Sequence, residues 1–303
     1  MEISNSIKSI AITGANSYIG INLIKNCINK KIVVKAYCRD PSKLTKIINN
    51  DQFLKANKYN LYENNNYNFE KVDAIIHLAH HRIKISRIKF GKDPNITAAN
   101  NLINKANYFN IKKILYLSSH LAHENTLSQY GKSKLDCERF FIKNNFTVVR
   151  SGFVFGGTEL GLYQNLLRQI RINKILPIIF PNSPIYPIHV EDLSNALINI
   201  IQIKNSNKKT YCLGNKNFVK TKEFFYQLGI RYCNKEIKFL FLPGNILYFI
   251  TFITGYYSGF FNTIFERVAG LKSLVKLKTN EYIDVSSIDY LKKTKSFFIN
   301  QNN

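Results

Sequence analysis

Tyr130 and Lys134 carry the strongest chemical signal in the chain. They stand four apart in Tyr130-Gly131-Lys132-Ser133-Lys134, so a helix sets both on one face. A tyrosine with a pKa of about 10 carries protons poorly at neutral pH. A neighbouring ammonium favours its phenolate and makes proton transfer feasible. Ser118 and Ser119 close an apolar run just upstream, and a serine hydroxyl there can polarise a carbonyl or alcohol oxygen. The Gly131-Lys132-Ser133 tripeptide mimics part of a triphosphate-binding loop, but Thr126 stands where that loop needs its first glycine.

A second signal is Thr13-Gly14-Ala15-Asn16-Ser17-Tyr18-Ile19-Gly20, between a short apolar run (7–13) and apolar residues at helical spacing (Ile19, Leu23, Ile24, Cys27, Ile28). That strand–turn–helix setting is what a dinucleotide fingerprint requires. Gly14 permits the tight turn, Gly20 lets the helix close on the sheet, and the helix N-terminal amides hold a pyrophosphate. Ser17 takes a position where glycine is commoner. Arg39 follows the next apolar run, with Lys43 one helical turn on. An arginine there accommodates a 2′-phosphate, so NADP is preferred, while the adjacent Asp40 keeps NAD open.

These groups need a scaffold, and the pattern supplies one. Apolar runs at 7–13, 32–38, 73–79 and 113–118 alternate with helical stretches, including a polar one at 95–110. Continuous apolar strands separated by helices predict a doubly wound parallel α/β sheet, a Rossmann domain, with a smaller C-terminal substrate domain. We assign 1–150 to dinucleotide binding, with 187–204 returning to it, and 151–303 mainly to substrate. Pro177, Pro181, Pro184 and Pro187 mark the change.

The 303 residues suffice for a large core, and 45% hydrophobic content excludes wholesale disorder. Five cysteines without a CxxC pair, and no secretory signal, point to a reducing cytoplasm. The formal charge of +24 comes from lysines scattered along an Asn- and Ile-rich chain, as in the Asn64-Asn65-Asn66 loop. That reads as compositional drift, so a nucleic-acid partner is not expected, although the surface attracts anions. His80, His81, His120 and His123, the last two near Glu124, lack a second cluster to complete a metal site, and none is expected.

Taken in order, these motifs resemble the NAD-dependent epimerase/dehydratase family of extended short-chain dehydrogenases/reductases. The carriers are Thr13–Gly20, Ile75-Ile76-His77-Leu78-Ala79, Leu117-Ser118-Ser119 and the Tyr130/Lys134 pair. To these add Val149-Arg150-Ser151-Gly152-Phe153-Val154-Phe155-Gly156, Tyr186-Pro187-Ile188-His189-Val190-Glu191-Asp192-Leu193 and Ile283-Asp284-Val285-Ser286-Ser287. The resemblance implies Tyr130 as general acid/base, Lys134 as the residue that lowers its pKa and bonds the nicotinamide ribose, and Ser119 as the residue that orients the reacting oxygen. It implies a cofactor site of Gly14, Asn16, Ser17, Tyr18, Ile19, Gly20, Arg39, Lys43, Leu78, Ala79 and His80, with Tyr130 and Lys134. It further implies hydride transfer on a nucleotide-linked sugar, by a C4 epimerase or an oxidoreductase, and a homodimer. Ser119-His120-Leu121 lacks the threonine and Asp-Glu pair usual in the family's dehydratases. Alanines at 98 and 99, Ser151 after Arg150, and a short Ser119–Tyr130 interval also depart from its pattern.

From Phe239 to Phe265 no residue is charged and ten are aromatic. The leading expectation is a buried helical pair lining the substrate pocket; the second is a peripheral, interfacial contact with anionic lipid. The aromatic content keeps open a reductase of a hydrophobic carbonyl or a lipid-linked sugar, and the fold itself a nonenzymatic nucleotide- or RNA-binding module. A flexible lysine-rich tail is expected from Lys292 to the end.

Overall fold

Alternation along the first strand sets the architecture. Ile10 and Ile12 enter one buried cluster and Ala11 the other, as a strand covered on both faces demands. In this computed structural model, residues 7–49, 51–61, 67–81, 93–204, 206–215, 217–255, 259–277, 283–284 and 292–299 are described. The first half runs β1 (Ser9–Thr13), α1 (Tyr18–Asn29), β2 (Val33–Cys38), α2 (Pro41–Ile48), β3 (Leu54–Lys58) and β4 (Ala74–His77). It continues through α3 (Pro94–Tyr108), β5 (Lys113–Ser119), α4 (Gln129–Lys143) and β6 (Thr147–Ser151).

The second half has β7 (Phe153–Phe155), α5 (Gly161–Ile172), β8 (Ile175–Ile178), β9 (Pro184–Ile185), β10 (Pro187–His189), α6 (Val190–Gln202) and β11 (Thr210–Leu213). After these come β12 (Val219–Lys220), α7 (Thr221–Cys233), β13 (Lys238–Phe241), α8 (Gly244–Gly255), α9 (Gly259–Lys272), β14 (Ile283–Asp284) and α10 (Lys292–Ile299).

The main sheet has the order β14-β11-β6-β5-β4-β1-β2-β3. Its pairings are parallel, with β14 a two-residue edge. The order reverses beside β1, and such a switch point opens a crevice at the carboxyl ends of the strands. One face packs α1 (Leu23, Ile24, Cys27) and α6 (Leu193, Leu197, Ile201) against Ile10, Ile76 and Leu115. The opposite face packs α3 (Ala99, Leu102) and α4 (Cys137, Phe141) against Ala11, Ile75 and Tyr116. The doubly wound architecture expected from the apolar runs is therefore the one observed.

A third, separate cluster gathers Phe155, Tyr163, Leu167, Phe224, Leu228 and Phe297 from β7, α5, α7 and α10. Phe297 corrects the expectation of a flexible tail. Residues 292–299 form a helix whose N-terminus is held by Asp192: its carboxylate accepts from the Thr294 amide and hydroxyl, both at 2.6 Å. A lysine-rich composition hid the Thr294–Phe297 face that anchors it. Val285, Ser286, Ser287, Tyr256, Tyr257 and Asn64–Asn66 lie outside the described residues.

Candidate active site

The glycine segment does what its composition demands. Gly14 turns with φ +70°, and a Cβ there would sit 2.7 Å from the Ala79 amide nitrogen. A Cβ on Gly20 would meet the Gly14 carbonyl oxygen at 2.6 Å. The β1–α1 turn thus lies directly against the loop after β4, closer than any side chain allows. Thr13 ties the two: its carbonyl accepts from the Leu78 amide and its hydroxyl oxygen from the Ala79 amide. The same hydroxyl reaches His77 Nδ1 at 2.6 Å. Burial pushes the His77 pKa down to about 3, so the ring in that bond is neutral.

Ser17 caps α1, its hydroxyl accepting from the Gly20 amide. Asn16 donates to the Asp40 carbonyl, joining the turn to the end of β2, and its own Oδ1 is buried with no hydrogen-bond partner. No acidic residue lies in the first turn of α1. This is a cradle of free helix amides suited to a phosphate. Among the residues expected to hold a cofactor, Tyr18 opens α1 and turns its side chain away from the turn. Its hydroxyl donates to the Gly156 carbonyl and its ring stacks on Tyr163, tying α1 to the C-terminal cluster. Arg39 and Lys43 are exposed, whereas the Asp40 carboxylate accepts from the Lys43 amide as the cap of α2.

The serine, tyrosine and lysine come from adjoining elements. Ser119 ends β5, partly exposed, its hydroxyl accepting from the Leu121 amide, while Ser118 is buried. Tyr130 opens α4 and meets the His80 ring edge-on at 5.3 Å. Lys134, one turn on, is buried; its ammonium donates to the Leu117 carbonyl at 2.7 Å and lies 4.6 Å from the Tyr116 ring centre and 5.9 Å from that of Tyr130. Loss of solvation lowers its pKa to about 8, against the opposing pull of Cys137 and Glu138.

Several supports were invisible to motif reading. The Glu266 carboxylate on α9 accepts from the Gln129 and Tyr130 amides, capping α4 alongside Ser128. Ser273, at the end of α9, accepts from the Leu127 amide through its hydroxyl and bonds His123 Nε2 through its carbonyl. Glu138 on α4 forms a buried, two-pronged ion pair with Arg150 on β6, at 2.7–3.0 Å. His120, next to Ser119, packs edge-on against Tyr186, and burial lowers its pKa to about 3. Asn95 links the loop after β4 to α4, its amide donating to Ser133 and accepting from the His81 amide. Ser128 sits three residues from the Gly131 amide it caps, a local signal, whereas Glu266 and Ser273 lie more than a hundred residues from their partners.

Of the buried helical pair expected within 239–265, α9 packs inward and α8 does not. α9 is tied to the 121–130 segment by Glu266 and Ser273, and it buries Phe265, Val268 and Ala269, the Phe265 ring lying against Tyr248 and Phe252 of α8. α8 buries Gly244, Thr251 and Gly255 and turns its large apolar residues outward.

Fold and site together define a doubly wound α/β protein whose β1–α1 turn is suited to a phosphate. A model of the NAD dependent epimerase/dehydratase family matches residues 10–214, and the chain belongs to that family. No curated protein matches it. Among solved structures it is similar to an epimerase of Methanothermobacter thermautotrophicus, with TM-score 0.66 and 16% identity over 78% of this chain and 80% of that one. It is also similar to UDP-glucose 4-epimerase of Thermotoga maritima with UDP-glucose, with TM-score 0.61 and 18% identity over 77% and 85%. A third is UDP-glucuronic acid 4-epimerase of Bacillus cereus with UDP-glucuronic acid and NAD, with TM-score 0.60 and 18% identity over 77% and 86%. At such identity these likenesses bear on the fold.

Proposed function

We propose that the protein is a nicotinamide-dependent C4 epimerase or oxidoreductase of a nucleotide-linked sugar, with Ser119, Tyr130 and Lys134 as its catalytic residues. The observation that carries this reading is the buried Lys134 ammonium beside Tyr130 on α4, below the carboxyl end of β5. Family membership and the nucleotide sugars in the similar structures support the substrate class.

The residues present fit a dinucleotide: Gly14 and Gly20 let the β1–α1 turn close tightly on its neighbouring backbone, the α1 amides meet a pyrophosphate, and buried Asn16 Oδ1 offers a free acceptor. A bound nicotinamide supplies the hydride acceptor and donor. Tyr130 Oη exchanges a proton with the substrate hydroxyl, and Lys134 stabilises the phenolate by its charge. Ser119 orients the reacting oxygen. Asp40 is engaged in capping α2, whereas Arg39 and Lys43 are exposed beside it, which supports NADP over NAD. The cluster around Phe155 and Phe224, with α9, serves as the substrate-binding part, and a homodimer accords with the family resemblance.

The test is fluorescence titration with NADPH and NADH, then incubation with UDP-glucose and its relatives. NADPH binding weakened by Arg39→Ala, and sugar turnover lost in Tyr130→Phe, are expected. A protein freed of any retained cofactor that binds neither dinucleotide overturns the reading.

A further inference from the structure

The part of the molecule that the proposed chemistry does not use is its outer apolar face. Nine of the eighteen exposed large apolar side chains among the described residues fall between Leu240 and Phe260. On α8, Ile246, Phe249, Ile250 and Ile253 share one stripe at helical spacing, with Phe249 63% exposed. The inner side of the same helix is Gly244, Thr251 and Gly255. This is the reverse of a helix that covers a core. The stripe adjoins β13, where Leu240 pairs in register with the exposed Pro177 of β8. Contiguous apolar surface of this kind marks an interaction site.

We propose that the face formed by β13, α8 and the start of α9 docks on an anionic lipid bilayer, with α8 lying in the interface. Charge placement identifies this occupant. No charged residue lies between 239 and 265, yet lysines ring the patch. The Lys222 ammonium sits 5.3 Å from the Phe241 ring centre and that of Lys272 4.4 Å from the Tyr248 ring centre. Residues 217–277 contain eight lysines and arginines against three glutamates, one of which, Glu266, is turned to the α4 backbone. An apolar stripe with a basic margin matches acyl chains below anionic headgroups. A second copy would bring lysine rim against lysine rim in a chain of charge +24, which opposes self-association. The twelve residues of α8 extend about 18 Å, short of a bilayer core of about 30 Å. No described helix is long and apolar enough to cross a membrane, so the contact is interfacial.

The full chain is floated with phosphatidylcholine vesicles, with and without phosphatidylglycerol. Flotation with the anionic vesicles is expected, and Phe249→Glu with Ile253→Glu reduces it about tenfold or more while the far-UV spectrum is retained. Because the chain lacks tryptophan, Phe249→Trp supplies a single emitter. Its emission shifts to the blue on anionic vesicles if α8 enters the interface, whatever the fate of the glutamate variant. The proposal is overturned if the protein does not float with anionic vesicles, or if the emission of the Phe249→Trp variant does not shift. Flotation indifferent to the glutamates would mean charge attraction alone, and a dimer abolished by Phe249→Glu would assign the face to a second copy; either also overturns it.

Discussion

Two regions of this chain use aromatic and aliphatic residues to opposite ends. Around β7, α5, α7 and α10, Phe155, Phe224 and Phe297 turn inward and pack ring against ring, with Phe155 and Phe297 centroids 4.7 Å apart. Along α8, Phe249 and its neighbours turn outward over a helix floor of glycine and threonine. The sequence marks 239–265 as apolar and Lys292 onward as a lysine-rich tail, yet Phe297 is buried and Phe249 is exposed. Composition therefore gives the amount of apolar surface but not its destination, which depends on whether the other side of the helix is small enough to sit closer to the protein.

The largest effect separates the inner machinery from both apolar regions. Tyr130→Phe is expected to lower kcat on a nucleotide sugar by roughly a hundred- to ten-thousandfold with an unchanged thermal midpoint. A variant with near-normal turnover would remove Tyr130 from the chemistry and leave α4 a structural helix.

Next in size is the contrast between buried and exposed partners. Phe155→Ala, in the third cluster, is expected to cost about 3–5 kcal/mol in denaturant unfolding. Glu138→Ala strands the Arg150 guanidinium in a buried layer and is expected to cost about 3–5 kcal/mol as well. Removing Arg171, whose partner Glu159 is at the surface, is expected to cost about 0–1 kcal/mol. Equal losses for the two ion pairs would contradict the burial assigned to the α4–β6 layer.

Much of that inner region was legible in the sequence. Local rules place Gly14, Gly20 and the Tyr130/Lys134 pair, because a turn, a close approach and a helical spacing are decided within a few residues. The alternation of apolar runs gave the parallel sheet for the same reason. Glu266 on the Tyr130 amide and Asp192 on α10 were not legible, being pairings across more than a hundred residues. α10 read as a tail because Lys292, Lys293 and Lys295 outweigh the one buried Thr294–Phe297 face. α8 read as a lining because an uncharged, aromatic-rich stretch does not say which way its side chains face.

A pH series sharpens the comparison at moderate size. His77 and His120 are held neutral by burial, with pKa values down to about 3, below the value of about 6.5 in an unfolded chain. The unfolded state therefore binds more protons between these limits, and stability falls as the pH drops through that window. Each histidine contributes about 1.4 kcal/mol per pH unit. Urea midpoints between pH 6.5 and 4.5, above the usual carboxylate range, are expected to show this slope, and His120→Gln to reduce it. An unaltered slope in that variant would mean that His120 is already open to protons in the fold.

The smallest effect bears most directly on the outer face. Phe249→Ala removes a ring of the same size as that of Phe155, yet its expected change in stability lies within about 0.5 kcal/mol, because the ring is in water before and after unfolding. A slight gain is compatible with this placement, since truncation removes apolar surface that the folded chain leaves exposed. A loss as large as that of Phe155→Ala would put Phe249 in a packed setting, erase the distinction between the two regions, and withdraw the stripe from any partner. Paired with vesicle binding, the same substitution separates what a residue does for the fold from what it does at a surface: little for the first, and a clear loss for the second.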